Sequence, residues 1–297
     1  MPEKSFVLLP DRGVLAVEGE DRVAFLQGLI SNDVTKVSGE RAIWAALLTP
    51  QGKFLHEFFV SARGETLYLE GEAARLADLQ KRLSIYRLRS KVTIANVTDR
   101  FSLSAAFGGG ALQALGLSEE RGTAKPFRDG IAFVDPRLSG LGARVMLPRE
   151  AKSLAADGFQ EVPFEAYDRM RLELGVPDGS RDMPIDKAIL LEAGFDELDG
   201  VDWKKGCYIG QELTARTKYR GIIRKRLMPV RIDGPTPEPG TLIMLGEKEA
   251  GEMRSGRDGL ALALLRFEAL EEAKASNAPL IAEGATVHPQ KPAWASF

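Results

Sequence analysis

The only cysteine in the chain, Cys207, lies within Lys204-Lys205-Gly206-Cys207-Tyr208-Ile209-Gly210-Gln211-Glu212. A thiol acts as nucleophile or metal ligand only as thiolate, a form favoured by nearby cations and by a helix N-terminus. Both are at hand: Lys204 and Lys205 precede the thiol, and Gly210 to Arg216 reads as the first turns of a helix. Glu212 falls early in that helix, as the macrodipole prefers. Gly206 and Gly210 permit close backbone approach or positive φ. Two readings stand for Cys207: a reactive, partly exposed thiol, or a small buried apolar side chain, the usual state of an unpaired cysteine. Nothing points to a Cys–His arrangement of protease type, because His56 and His288 lie far off in sequence and carry no motif. Both read as structural or surface residues.

Three further groups have chemistry within reach. Asp33 closes Ser31-Asn32-Asp33-Val34, where its carboxylate could accept N–H bonds from backbone or ligand or simply end a helix in a turn. Glu173, in Arg171-Leu172-Glu173-Leu174-Gly175, and Glu192, in Leu191-Glu192-Ala193-Gly194, are carboxylates suited to an aminopyrimidine edge with two parallel N–H donors. The alternative for Glu173 is a solvated helix face. Lys218, Arg220, Arg224, Lys225 and Arg226 form a basic cluster fit for an anionic ligand, or for a strand edge where charge discourages pairing.

These residues sit in a chain of 297 residues, 44% hydrophobic and 28% charged, with a formal net charge of -2. Two or three packed units are expected at that length. The charge argues against a protein whose main work is to coat nucleic acid, and leaves room for a local basic patch. One cysteine and two histidines leave no material for a zinc or cysteine-rich metal site, and no metal is expected. The absence of any pairable cysteine fits a reducing compartment. No apolar run reaches the roughly 18 residues of a membrane span, and the apolar segment within Met1 to Pro10 is too short for a signal peptide. A cytoplasmic protein is the expectation.

The positioning elements follow from periodicity. Val14 to Val17 reads as a strand, and Asp21 to Ile30 as a helix through Val23, Leu26, Leu29 and Ile30. Ala42 to Leu48 and Phe54 to Val60 form a hairpin around Thr49-Pro50-Gln51-Gly52-Lys53. Thr66 to Glu70 is a strand, Glu72 to Tyr86 an amphipathic helix, and Lys91 to Val97 a strand. Strands are expected at Phe101 to Phe107, Ile131 to Val134 and Ala143 to Leu147, and Pro163 to Gly175 is a helix. Gly108-Gly109-Gly110 lacks the spacing of a phosphate loop and reads as a turn. Asp178 to Gly200 is a long excursion with a helical piece at Lys187 to Glu192. Short strands at Ile222 to Ile232, Leu242 to Leu245, Gly251 to Arg254, Leu260 to Arg266 and near Leu280 to Val287 suggest a small barrel. The fold class is α+β, with a boundary expected between 1–223 and 224–297.

Lys205-Gly206-Cys207-Tyr208-Ile209-Gly210-Gln211-Glu212 resembles the K-G-C-Y-x-G-Q-E motif of the YgfZ/IBA57 branch of the glycine-cleavage T-protein superfamily. The match is complete over those eight positions. Phe25-Leu26-Gln27-Gly28-Leu29-Ile30-Ser31-Asn32-Asp33-Val34 is similar to the family's F-L-Q-G-x-x-S-N-D-V, and Thr49-Pro50-Gln51-Gly52-Lys53 to its T-P-x-G-K turn. The segments Arg171-Leu172-Glu173, Leu191-Glu192 and Gly251 to Arg266 extend the likeness over nearly the whole chain. The resemblance implies a T-protein-like fold of three packed units around a central folate-binding hole, with a C-terminal β-barrel. It implies tetrahydrofolate or a one-carbon derivative as cofactor, and a role in assembling or repairing iron–sulfur clusters of [4Fe–4S] enzymes, including some that modify tRNA. Partners would be iron–sulfur assembly or recipient proteins, with no stable nucleic-acid or membrane binding. By this resemblance Asp33 and Cys207 are the reactive candidates, and Asp33, Glu173, Glu192, Lys205 and Arg216 the folate-binding ones. A folate-dependent aminomethyltransferase is the alternative, motivated by Asp33. The T-protein enzymes lack the cysteine motif.

Overall fold

The computed structural model describes residues 4–221 and 223–297. Met1, Pro2 and Glu3 of the opening segment, and Ile222 at the head of the expected strand Ile222 to Ile232, lie outside the described residues. Two compact units are present. The first comprises Met1–Leu48, Leu55–Tyr167 and Leu198–Ile209; the second comprises Thr49–Phe54, Asp168–Glu197 and Gly210–Phe297.

The first unit is built on two sheets. In the five-stranded sheet the spatial order is Ile43–Leu48, Phe54–Arg63, Thr66–Glu72, Arg12–Glu18, Thr93–Asn96. Ile43–Leu48 is buried at all of its positions, as its unbroken apolar run requires. Helix Leu76–Tyr86 buries Leu76, Leu79 and Leu83, three residues at helical spacing, in a core shared with Leu15, Val17, Phe58 and Leu69. The turn before it, Ala73–Arg75, is 3-10 rather than α. The six-stranded sheet runs Gln160–Glu161, Ser5–Leu8, Phe101–Phe107, Ala143–Pro148, Gly130–Val134, Ala124–Phe127. Ser5–Leu8 is held by its apolar residues: Phe6 and Val7 are buried, and the strand pairs with Phe101–Phe107.

The second unit carries a closed six-stranded barrel in the order Lys225–Asp233, Leu260–Arg266, Lys248–Arg257, Leu242–Leu245, Leu280–Ala282, Ala285–Pro289. Met228, Val230, Ile243, Met253, Leu265 and Val287 fill it. The barrel expected from the turn spacing is therefore present, and closure leaves it no open edge. A helix at Phe267–Ser276, which the strand pattern had obscured, packs Phe267, Leu270 and Ala273 on the barrel core.

The register of Lys248–Arg257 shifts between Met253 and Gly256. Such a bulge re-aims side chains, and here Ser255 meets Asp182 (Oγ to Oδ1 2.6 Å, N to Oδ1 3.0 Å). Asp182 also accepts from Arg171 Nη1 at 2.8 Å. Arg171 in turn pairs with Asp168 at 2.8 Å. This buried network joins helix Phe164–Leu174, the short helix Gly179–Asp182 and the barrel wall. The expected helical piece at Lys187 to Glu192 is instead a 3-10 turn, Leu190–Ala193, stopped by Gly194 in the left-handed region.

Candidate functional site

Two motifs singled out in the sequence dock on each other within the first unit. Helix Arg22–Gln27 ends at Gly28, and the chain turns through Ser31-Asn32-Asp33. Segment 199–209 lies along that turn. Ser31 Oγ donates to Gly200 O at 2.6 Å, and Asn32 Nδ2 to Asp199 O at 2.7 Å and Trp44 O at 2.8 Å. The amides of Asp202 and Ile209 donate to Ser31 O at 3.1 Å and Gly28 O at 3.2 Å. Small polar side chains that bond to nearby backbone thus serve here as a cradle for a distant loop.

Lys205 is the clamp. Its Nζ donates to Gln27 O at 2.9 Å, Ile30 O at 2.6 Å and Asn32 O at 2.8 Å. Three donors on one ammonium thereby satisfy one carbonyl at the helix end, Gln27 O, and two in the turn beyond it, and a cation there complements the dipole. Burial lowers the Lys205 amine to about 8, against opposing pulls from Asp33 and Asp202. The ring of Tyr208 stacks 5.0 Å from the same ammonium. Asp202 Oδ1 accepts the amides of Lys204 (2.7 Å) and Lys205 (2.9 Å), and its other oxygen pairs with Lys36.

Cys207, two residues beyond the clamp, is exposed and unpaired. That decides between the two sequence readings: the thiol is not a buried apolar filler. The Lys205 cation, expected to favour thiolate, is spent on carbonyl oxygens instead. Asp33 caps the 3-10 turn Val34–Lys36. It accepts from Thr35 Oγ1 at 2.6 Å, Thr35 N at 3.0 Å and Gln27 Nε2 at 2.9 Å. Burial works to raise its pKa, but those bonds outweigh it and hold the carboxyl below its ordinary value. Asp33 and Lys205 are therefore brought together.

Glu192, Glu173 and Arg216 belong to the second unit. Glu192 lines a cavity of about 320 Å³ together with Asp182, Lys187, Lys225, Glu252 and Arg254 over an apolar floor including Met183, Ile189 and Leu264. The volume falls within the usual range of roughly 300–1,000 Å³ for small-molecule sites. Burial raises the Glu192 carboxyl above its ordinary value despite Lys225, Lys53 and Arg254 nearby. Arg254 is 5% exposed, and its Nε has no hydrogen-bond partner among the described residues. Arg254 carries no signal in the sequence, because its strand, Lys248–Arg257, also holds Lys248, Glu249, Glu252 and Arg257. Glu173 is outside this lining, on the helix surface 3.3 Å from Arg169. Arg216 pairs with Glu212 one turn back at 2.5 Å, on helix Gln211–Arg220, which begins where expected. Gly52 of the Thr-Pro-Gln-Gly-Lys turn has φ +83°, and a Cβ there would meet Leu213 Cβ at 2.5 Å and Gly210 O at 2.7 Å. Only glycine permits that approach.

The basic cluster divides. Arg226 is buried and pairs with Glu197 at 2.9 Å and Asp196 at 3.4 Å, and Lys218 reaches Asp196 at 3.2 Å. Arg220 and Arg224 are exposed. His56 is structural, as expected: it is 4% exposed and bonds Asp78 Oδ2 at 2.8 Å. Burial, helped by Arg75, lowers it to about 4.

Residues 224–297 match the family described as CAF17, C-terminal beta-barrel domain. Iron-sulfur cluster assembly factor IBA57, mitochondrial, of Mus musculus is 33% identical over 305 residues, covering 94% of this chain and 83% of the relative. Its Homo sapiens counterpart is 34% identical over 282 residues, covering 89% and 78%. The chain belongs to the IBA57 family. The family resemblance read from the cysteine motif is thereby borne out. The crystal structure of glycine cleavage system aminomethyltransferase T from Bartonella henselae superposes with a TM-score of 0.79 at 16% identity, over 99% of this chain and 86% of that one. The IBA57-type chain thus has the T-protein-like fold expected of it, with helices on sheets and a closed barrel. The cytoplasmic expectation is corrected: the IBA57 relatives are named as mitochondrial proteins. One unpaired cysteine does not distinguish one compartment from another.

Proposed function

We propose that this chain is an iron–sulfur cluster assembly factor that works with bound tetrahydrofolate and serves [4Fe–4S] enzymes, including enzymes that modify tRNA. Kinship with proteins named iron-sulfur cluster assembly factor supports the general role. The observation that carries the rest is a solitary exposed thiol on a loop clamped at Lys205. A cluster takes about four ligands, so one thiolate can only share it, with a partner protein or a small thiol. The cluster is then cargo in transit. Lys205 and the Ser31-Asn32 cradle keep the thiol presented while the other ligands come and go.

The cavity beside Glu192 supports the folate part. Its carboxylate gains from a ligand edge with two N–H donors, and the unmet Arg254 Nε–H is offered to a ligand acceptor. Lys187 and Lys225 suit a carboxylate tail. Bound tetrahydrofolate would supply one-carbon carriage; the protein residues hold and orient it. Calorimetric titration with tetrahydrofolate is expected to show binding, weakened about tenfold, or about 1.4 kcal/mol, in Glu192→Gln. No binding by the unmodified chain removes the cofactor. Cells carrying Cys207→Ala are expected to lose [4Fe–4S] enzyme activity while the variant stays folded by circular dichroism; normal activity removes the thiol role. Robust methylene-tetrahydrofolate formation from an aminomethyl-lipoyl carrier would replace the proposal with the aminomethyltransferase.

A further inference from the structure

Of the seven large hydrophobic side chains exposed among the described residues, three fall in one short stretch: Ile85 at 62%, Tyr86 at 37% and Leu88 at 88%. Between and beside them stand Arg87 and Arg89, both exposed. Neither guanidinium has an ion pair or side-chain hydrogen bond among the described residues. Elsewhere in the same unit most arginines are committed, as Arg12 is to Glu57 and Arg137 to Asp135. Tyr86, Leu88, Arg89 and Ser90 line an open groove with Asp21, and Asp21 is itself engaged by the amide of Lys91 at 2.7 Å.

Leu88 makes the stretch more than a chance cluster. Helix Leu76–Tyr86 is capped by Arg87, still in the right-handed region, and Leu88 follows with φ +40°. That is the position after the cap where glycine is the default, because a side chain there costs about 1–2 kcal/mol. Glycine would also remove a large apolar group from water. Every consideration internal to the fold favours glycine, yet leucine stands there, so the return on its side chain lies outside the chain. An observed outlier of this kind points to a functional contact.

We infer that Ile85 to Arg89 is a docking surface for an acidic protein segment whose face combines carboxylates with aliphatic side chains. The unpaired guanidiniums offer bidentate sites to carboxylates, and tyrosine and arginine are the residue types that anchor protein interfaces. Two cations add only about 2 kcal/mol of attraction to an anionic bilayer, and two aliphatic side chains are too few to anchor there. Nucleic acid is disfavoured because Ile85 and Leu88, two of the five residues, contribute nothing to phosphate binding. This docking surface is independent of the reading of Cys207.

The test uses the full chain and fluorescence anisotropy. The probes are a helical 18-residue peptide with glutamates and leucines on one face, its lysine–leucine twin, its glutamate–serine twin, anionic phosphatidylserine vesicles and a single-stranded 20-mer RNA. The glutamate–leucine peptide is expected to bind best. Arg87→Glu with Arg89→Glu should weaken it at least tenfold and Leu88→Gly about fivefold. Leu88→Gly should leave the melting temperature unchanged or raised, which separates docking from folding. Equal binding by wild type and all variants, or tighter binding of the vesicles, the RNA or the lysine–leucine peptide, overturns the proposal.

Discussion

At the scale of single residues, the Lys205 ammonium shows a group that works locally at a cost to global stability. Its pKa falls from 10.5 to about 8, so the fold disfavours the charged form relative to water. Folding is penalised by this cation at neutral pH, and the penalty fades as pH rises from about 8 towards 10.5. Lys205→Met should therefore change the melting temperature little, since the loss of three carbonyl contacts is offset by the relief of burial. The effect belongs to the loop: amides of residues 202–209 should exchange with deuterium at least tenfold faster. Lys205→Arg should not restore protection, because a planar fork cannot converge on three carbonyl oxygens as an ammonium does. Unchanged exchange in Lys205→Met would remove the clamp. Cys207 stood out in sequence by residue type and its motif by family resemblance, while residue types left the exposure of the thiol open. The destination of the Lys205 amine was not, because its partners are backbone oxygens more than 170 positions away, and backbone leaves no mark in side-chain identity.

At the scale of elements, what the sequence displayed was periodicity, and what it hid was how elements are joined. The period through Leu76, Leu79 and Leu83 located a helix, and the apolar run of Ile43–Leu48 located a buried strand. In sequence Asp168 and Arg171 fall in an expected helix and Asp182 in an expected loop, with nothing to link them. All three are at most 2% exposed, and with Ser255 they tie helix Phe164–Leu174 to the barrel. Single buried charges are costly, and breaking such a set by removing one member costs about 3–5 kcal/mol because the remaining partners stay buried. Asp182→Ala strips acceptors from Arg171, Ser255 and the amide of Asp178. Its denaturation midpoint in urea should fall accordingly with the slope unchanged. Asp182→Asn, which keeps an acceptor oxygen, should lose less. A fall under about 1 kcal/mol for the alanine variant would mean the network is solvated rather than shared.

At the scale of the whole molecule, the barrel is the element most independent in sequence and among the least independent in chemistry. Its six strands close on their own, and Met228, Val230, Ile243 and Leu265 give it its own core. Turn spacing and short apolar runs were enough to read it, since a closed sheet needs no distant strand to complete it. Several of its polar groups find partners elsewhere: Arg226 is neutralised by Asp196 and Glu197, Ser255 donates to Asp182, and Trp294 Nε1 donates to Leu174 O at 2.7 Å. All these partners precede residue 224 in the chain. A fragment of residues 224–297 would keep the apolar core and lose every one of those acceptors, leaving Arg226 as an uncompensated buried charge. A fragment of residues 168–297 keeps them. The longer fragment should unfold in urea in one cooperative transition, and the shorter should melt at lower denaturant by at least about 3 kcal/mol or fail to fold. Arg226→Met should help the shorter fragment, where it removes an unpaired charge, and not the longer one, where it strands Asp196 and Glu197. Equal midpoints for the two fragments would assign the barrel's stability to its apolar core alone.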